Sequence, residues 1–185
     1  RRFFLKDRKL IPIQDLGKIN LASPGVLSDF VEWGMMSFPA RHYVLLLGGH
    51  GYQLVGSMTD YSQEKPYLMG IPEMSHSLDQ IYIKTGQKID ILILDVCYFN
   101  YIEVIYEFGD ISEPIVQNLM TFIKEGPLSG LPYPDLINIL EKNVKNDNID
   151  EIISKIIKEI KLDLVAFKID YNKLEIIKNS FRKLA

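Results

Sequence analysis

Two kinds of apolar pattern alternate along the chain. Uninterrupted runs at Tyr43-Val44-Leu45-Leu46-Leu47 and Ile89-Asp90-Ile91-Leu92-Ile93-Leu94 predict strands covered on both faces, as in a parallel sheet. Ile115 to Phe122 and Leu162 to Ile169 predict two further core strands. Between them the apolar spacing is helical. Ser23 and Pro24 open a helix whose inner face is Leu27, Phe30, Val31 and Met35, and Pro39 stops it. A second helix begins near Pro72, carries Met74, Leu78, Ile81 and Tyr82, and ends at Gly86. Ile102, Ile105 and Phe108 mark a third, and Leu136, Ile139 and Leu140 a short one from Asp135. Asn148 caps the most periodic, with Ile149, Ile152, Ile153, Ile156, Ile157 and Ile160 on one stripe. A closing helix capped by Asn172 carries Leu174, Ile177, Phe181 and Leu184. Phe3-Phe4-Leu5 and Leu10-Ile11-Pro12-Ile13 flank a charged turn and suit a hairpin at a sheet margin. Residues 52–70 and 125–133 read as loops. Strands alternating with helices imply one layered α/β domain over 1–185, with a mostly parallel central sheet.

Composition narrows the partners. With 21 basic and 24 acidic residues the net charge is −3, so the basic surplus of a nucleic-acid or anionic-membrane binder is missing. The single cysteine excludes an internal disulfide and any multi-cysteine metal site. No apolar run approaches the roughly 20 residues of a membrane span. The opening Arg1-Arg2-Phe3-Phe4 has no signal-peptide pattern, and a first residue other than Met suggests a processed chain or a fragment.

Candidate chemistry sits at two strand ends. His50 follows the first buried run and Cys97 the second. Ligands of open α/β sheets bind beyond the carboxyl ends of the strands. If these strands are parallel neighbours, about 4.8 Å apart, His50 and Cys97 face one cleft. There a thiolate can attack while an imidazole moves the protons. Either residue alone has a blander reading, the cysteine as a small core hydrophobe and the histidine as a turn residue. The glycines around His50 let the backbone turn N–H groups inward, so the Gly51 amide is a candidate oxyanion donor, with the Cys97 amide as its partner. Asp95 lies two residues before Cys97 and shares its side of the strand. A carboxylate there needs a partner: a protein Arg, a helix N-terminus, or the cationic side chain of a substrate. His42 and His50 cannot share a zinc ion, because His42 opens the strand that His50 closes and eight extended residues span about 26 Å. His76 falls in the first turn of a helix and reads as a surface residue.

At these residues the sequence resembles the clostripain family of cysteine peptidases, which have the caspase–gingipain–legumain fold. The resemblance is carried by Pro24-Gly25-Val26-Leu27-Ser28-Asp29-Phe30, Phe38-Pro39-Ala40 and Tyr43 ahead of His50-Gly51. Ile89-Asp90-Ile91-Leu92, Asp95-Val96-Cys97, Glu103-Val104, Tyr106-Glu107 and Gly130-Leu131-Pro132-Tyr133 continue it. It implies a three-layer α/β/α, caspase-like domain. It implies His50 and Cys97 as the catalytic dyad and Gly51 as an oxyanion donor. It implies peptide or protein substrates cut after Arg or Lys, with Asp95 receiving the basic side chain and Glu125, placed by spacing alone, in the same pocket. The departures are Gly48-Gly49 for bulkier polar residues, Val96 for alanine and Leu131 for tryptophan.

The resemblance further implies a core strand beside the histidine strand that this chain lacks, and hence a fragment or one chain of a processed precursor with a second chain as partner. Calcium enters by resemblance only, and so does a secreted or cell-surface setting. Relatives activate by cutting themselves in the loop after the histidine. Here the only Lys or Arg between His50 and Tyr82 is Lys65, followed by Pro66, so no self-cleavage is expected there. Three readings stay open in this order: a cysteine endopeptidase, a non-catalytic binding or scaffold relative, and an unrelated α/β domain whose Cys97 and His50 are core residues.

Overall fold

A computed structural model describes residues 1–109, 115–143, 145 and 147–183. In chain order its elements begin with β1 (Arg2–Lys6), β2 (Lys9–Gln14), α1 (Pro24–Ser37), β3 (Val44–Gly48), β4 (Gly56–Asp60), β5 (Tyr67–Gly70) and α2 (Ile71–Thr85). They continue with β6 (Ile89–Asp95), α3 (Ile102–Gly109), β7 (Val116–Phe122), α4 (Tyr133–Lys142), α5 (Ile149–Ile160), β8 (Leu164–Lys168) and α6 (Tyr171–Arg182).

The continuous apolar runs become the central sheet, in the order β3-β6-β7-β8. β3, β6 and β7 are parallel, and β8 closes one edge antiparallel to β7. Every residue of β6 is buried, as expected of a strand covered on both sides. Its alternate residues serve two cores. Leu92 and Leu94 pack with α1, α2, α3 and α6, through residues such as Leu27, Leu78, Phe108 and Leu174. Ile91 and Ile93 pack with α4 and α5, through Leu136, Ile139, Ile153 and Ile156. Helices therefore cover both faces, and the domain is a three-layer α/β/α sandwich. Each fully buried Leu or Ile contributes about 1.5–3 kcal/mol, so the sheet ends are held by a stiff frame.

Five expectations need correction. Residues 52–70 are not all loop, because β4 and β5 form an antiparallel pair with an irregular register. The β1–β2 hairpin is a separate two-stranded sheet and not a margin of the central one. Asp7 and Arg8 turn it at positive φ, and Phe4 stacks on Phe38 at 4.7 Å. On α1, Phe30 is exposed and Ser28 takes the inner position, donating to the carbonyls of Pro24 and Ser77. α4 starts at Tyr133 rather than Asp135, and α6 is capped by Asp170, whose side chain accepts the Lys173 N–H, rather than by Asn172. Leu184 lies outside the described residues. Among those described, no helix is long and apolar enough to cross a membrane.

Candidate active site

The β3–β6 register pairs Gly48 with Asp95, so the two strands end side by side. The Gly49 N–H donates to the Asp95 carbonyl at 3.2 Å and carries the ladder past the strand ends. Beyond it the chains of His50 and Cys97 turn into one cleft of about 450 Å³, lined also by Asp95, Gly126 and Tyr133. The parallel register is what brings together two residues distant in sequence. His50 is anchored by its carbonyl, which accepts the Ser57 hydroxyl of β4 at 2.8 Å.

Gly51 is required by contact. A Cβ there would overlap the Cys97 carbonyl oxygen and come within 2.7 Å of Val96 Cγ1. The strand ends therefore touch through backbone, and the Gly51 and Cys97 amides belong to the same small region.

Cys97 is partly exposed and free. The loop after β7 is stitched to it at several points. The Gly126 N–H donates to Cys97 Sγ at 3.3 Å, and the Tyr98 N–H donates to the Lys124 carbonyl at 3.2 Å. The Tyr98 hydroxyl donates to Glu125. Tyr98 itself sits at φ 59°, in the left-handed region. Its hydroxyl pKa is raised, chiefly by the hydrogen bond to Glu125. Glu125 is thus turned toward Tyr98 and does not line the cleft.

Asp95 is buried at the cleft floor, and its partner proves to be the start of α4. The Leu131 N–H donates to Oδ2 at 3.1 Å, and the hydroxyl of Tyr133, the first residue of α4, donates to the same oxygen. Among the described residues nothing donates to Oδ1. Gly130 makes the fit possible: at φ 71°, a Cβ there would stand 2.6 Å from Oδ2. Burial first, and the Asp95 carboxylate second, push the Tyr133 hydroxyl up to about 12. It stays protonated as a donor. Sequence reasoning missed this clamp. Gly130 and Tyr133 were visible as a loop pattern, but nothing in it points to Asp95.

The other histidines lie elsewhere. His42 joins Asp90 and Asp147 at the opposite end of the sheet, and His76 is exposed on α2. Among the described residues no group of three or more His, Cys, Asp or Glu side chains is placed to hold a metal ion.

The family model described as the clostripain family matches residues 6–185, and the chain belongs to that family. No curated protein has a sequence that matches significantly. Among solved structures, an inactive zymogen C11 protease from Parabacteroides distasonis is similar, with TM-score 0.69 and 18% identity over 98% of this chain and 50% of that one. A secreted C11 cysteine protease from Bacteroides thetaiotaomicron, in complex with an irreversible peptide inhibitor, gives TM-score 0.64 and 17% identity over 83% of this chain and 42% of that one. Another structure of a secreted C11 protease from the same organism, "iotapain", gives 0.65 and 15%, over 96% of this chain and 53% of that one. The likeness bears out the caspase-like fold. The chain spans about half the length of these solved relatives.

Proposed function

We propose that the protein is a cysteine endopeptidase acting through Cys97 and His50, with a preference for Arg or Lys before the scissile bond. One observation carries this reading: β3 and β6 end in register, and the residues just past those ends line a single cleft. Cys97 gives its proton to His50 and attacks the scissile carbonyl carbon. The Gly51 and Cys97 N–H groups stabilise the oxyanion. Collapse breaks the C–N bond, and His50 returns the proton to the leaving amine. Water, deprotonated by His50, then releases the acyl group from sulfur. Asp95 receives the basic side chain, while Glu125 stays bonded to Tyr98 outside the cleft. Partners are peptides or proteins with accessible basic residues, and a second chain of the same precursor completes the enzyme. Secretion fits this reading, since structural neighbours include secreted C11 proteases.

Fluorogenic peptides ending in Arg, Lys or Asp test it on the intact protein. Cleavage is expected after Arg and Lys and not after Asp, and Cys97→Ala should lower it by about 10³-fold or more. Turnover of none of the three would leave the non-catalytic binding domain as the reading.

A further inference from the structure

The carboxylate at the cleft floor is asymmetric. Both donors to Asp95 fall on Oδ2: the Leu131 N–H and the Tyr133 hydroxyl. A carboxylate oxygen has about two acceptor sites, so Oδ2 is saturated, while among the described residues nothing occupies Oδ1. Asp95 lines the cleft, so Oδ1 is the acceptor capacity it has left for a substrate side chain. The Tyr133 ring lines the same cleft, and its hydroxyl approaches the backbone so closely that a Cβ on Gly48 would lie 3.0 Å from it. Tyr133 is therefore wedged between β3 and Asp95 and holds the carboxylate in one rotation.

We propose that Tyr133 sets the choice between lysine and arginine, by leaving Asp95 a single free oxygen. A guanidinium reaches full strength against a carboxylate through two parallel N–H bonds, one to each oxygen. With Oδ2 occupied that fork cannot form. A lysine ammonium is a point charge and loses nothing against one oxygen. The cleft accordingly accepts lysine about as well as arginine. Glu125 does not supply the missing oxygen, because it is turned to Tyr98. Tyr133 is a positioning residue acting through Asp95, and the inference rests on the peptidase reading above.

The test uses two irreversible probes on the intact protein, peptidyl chloromethyl ketones ending in Lys or Arg, with the rate of mass addition at Cys97 as readout. Wild type should take the two within about threefold. Tyr133→Phe should keep the lysine rate within about threefold and raise the arginine-to-lysine ratio about tenfold, the worth of one charge-assisted hydrogen bond. A ratio that does not move, or moves toward lysine, overturns the inference while leaving the peptidase reading intact. An equal loss of both rates in Tyr133→Phe overturns it too, since that is a structural role only. Failure of both probes on wild type removes the peptidase reading and the inference with it.

Discussion

Strand β6 carries a buried aspartate at each end, and the two do opposite things. Asp90, near its start, has both oxygens occupied. Oδ1 meets His42 Nδ1 at 3.1 Å, and Oδ2 accepts the Tyr43 N–H at 2.8 Å. Its backbone carbonyl accepts the Asn118 amide at 2.8 Å, so this end is a closed polar knot tying β3, β6 and β7. Asp95, at the other end, crowds the Leu131 and Tyr133 donors onto one oxygen, and among the described residues the other takes none. Burial is similar, at 9% and 7% exposure, so burial does not separate a structural carboxylate from one poised for a ligand. The distribution of donors does. Cavity size does not separate them either. The groove near the Asp90 end, about 790 Å³ with Lys88, Asn118, Asp150 and Tyr171 in its walls, is larger than the cleft and has no cysteine in its lining.

Replacing each aspartate is the strongest way to break this comparison. Asp90→Ala should cost about 2–3 kcal/mol, because it leaves the partly buried Tyr43 N–H without its acceptor and frees the His42 ring. The arginine-to-lysine ratio of Cys97 labelling should stay put. Asp95→Ala should cost only about 1 kcal/mol, since losing two donors' acceptor is offset by removing a charge that was only half satisfied. Labelling by both basic probes should fall about tenfold or more. Denaturant melts and labelling rates on both variants check the crossover. Equal stability losses with equal labelling losses would mean that the two ends do not differ in kind.

The same contrast explains what could be read from the residues alone. The paired strand ends were legible because the runs before Gly48 and Asp95 are short, apolar and bounded, and β6 is buried along its whole length. The α5 stripe was legible because its isoleucines repeat with the helix. The Tyr133 clamp was not, because a side chain crossing 38 residues of sequence leaves no local pattern. β4 was hidden for a different reason: Gly56-Ser57-Met58-Thr59-Asp60 lacks the alternation and bulk of a strand, and its pairing with β5 supplies the order. Phe30 fits the helical period as well as Val31 does. Ser28 displaces it because a hydroxyl bonded to two carbonyls can lie inside, while the Phe30 ring finds Trp33 at 5.9 Å on the surface.

A smaller effect probes the Asp90 end by pH. The hydrogen bond to Asp90 is the main cause that raises the His42 pKa above its ordinary value. The Asp90 charge and the Asp147 carboxylate add to it, and burial opposes them. Arg41 meets the same Asp147 at 2.8 Å and competes for it. A histidine whose folded pKa is raised stabilises in its protonated form. The contribution is whole below the ordinary value, about 6.5, and is lost as pH rises through the raised one. The wild-type melting temperature should therefore lose its advantage over His42→Gln as pH rises above the ordinary histidine value. The change should be small, about 2 °C, because the His42 side chain is 33% exposed and screened. An advantage that grows with pH would mean that the ring is held neutral and the knot is not ionic.

The smallest expected effect is none at all, and it bears on whether the Asp95 end is ready before any processing. His50 is held through its carbonyl by Ser57, so the β4–β5 pair is part of the cleft's frame. Lys65 is exposed between those strands and is the residue a basic-specific peptidase would meet there. Pro66 follows it, so the bond after Lys65 has no N–H and carries a ring where a leaving amine must rotate away. The hairpin should survive long incubation of the active protein, with no fragment beginning at Pro66 in intact-mass spectra. Lys65→Ala should then leave the labelling rate of Cys97 unchanged. A Pro66 terminus that accumulates in step with rising activity would reverse the comparison. The site would be made by cutting, and the arrangement of Asp95, His50 and Cys97 described above would be its precursor form.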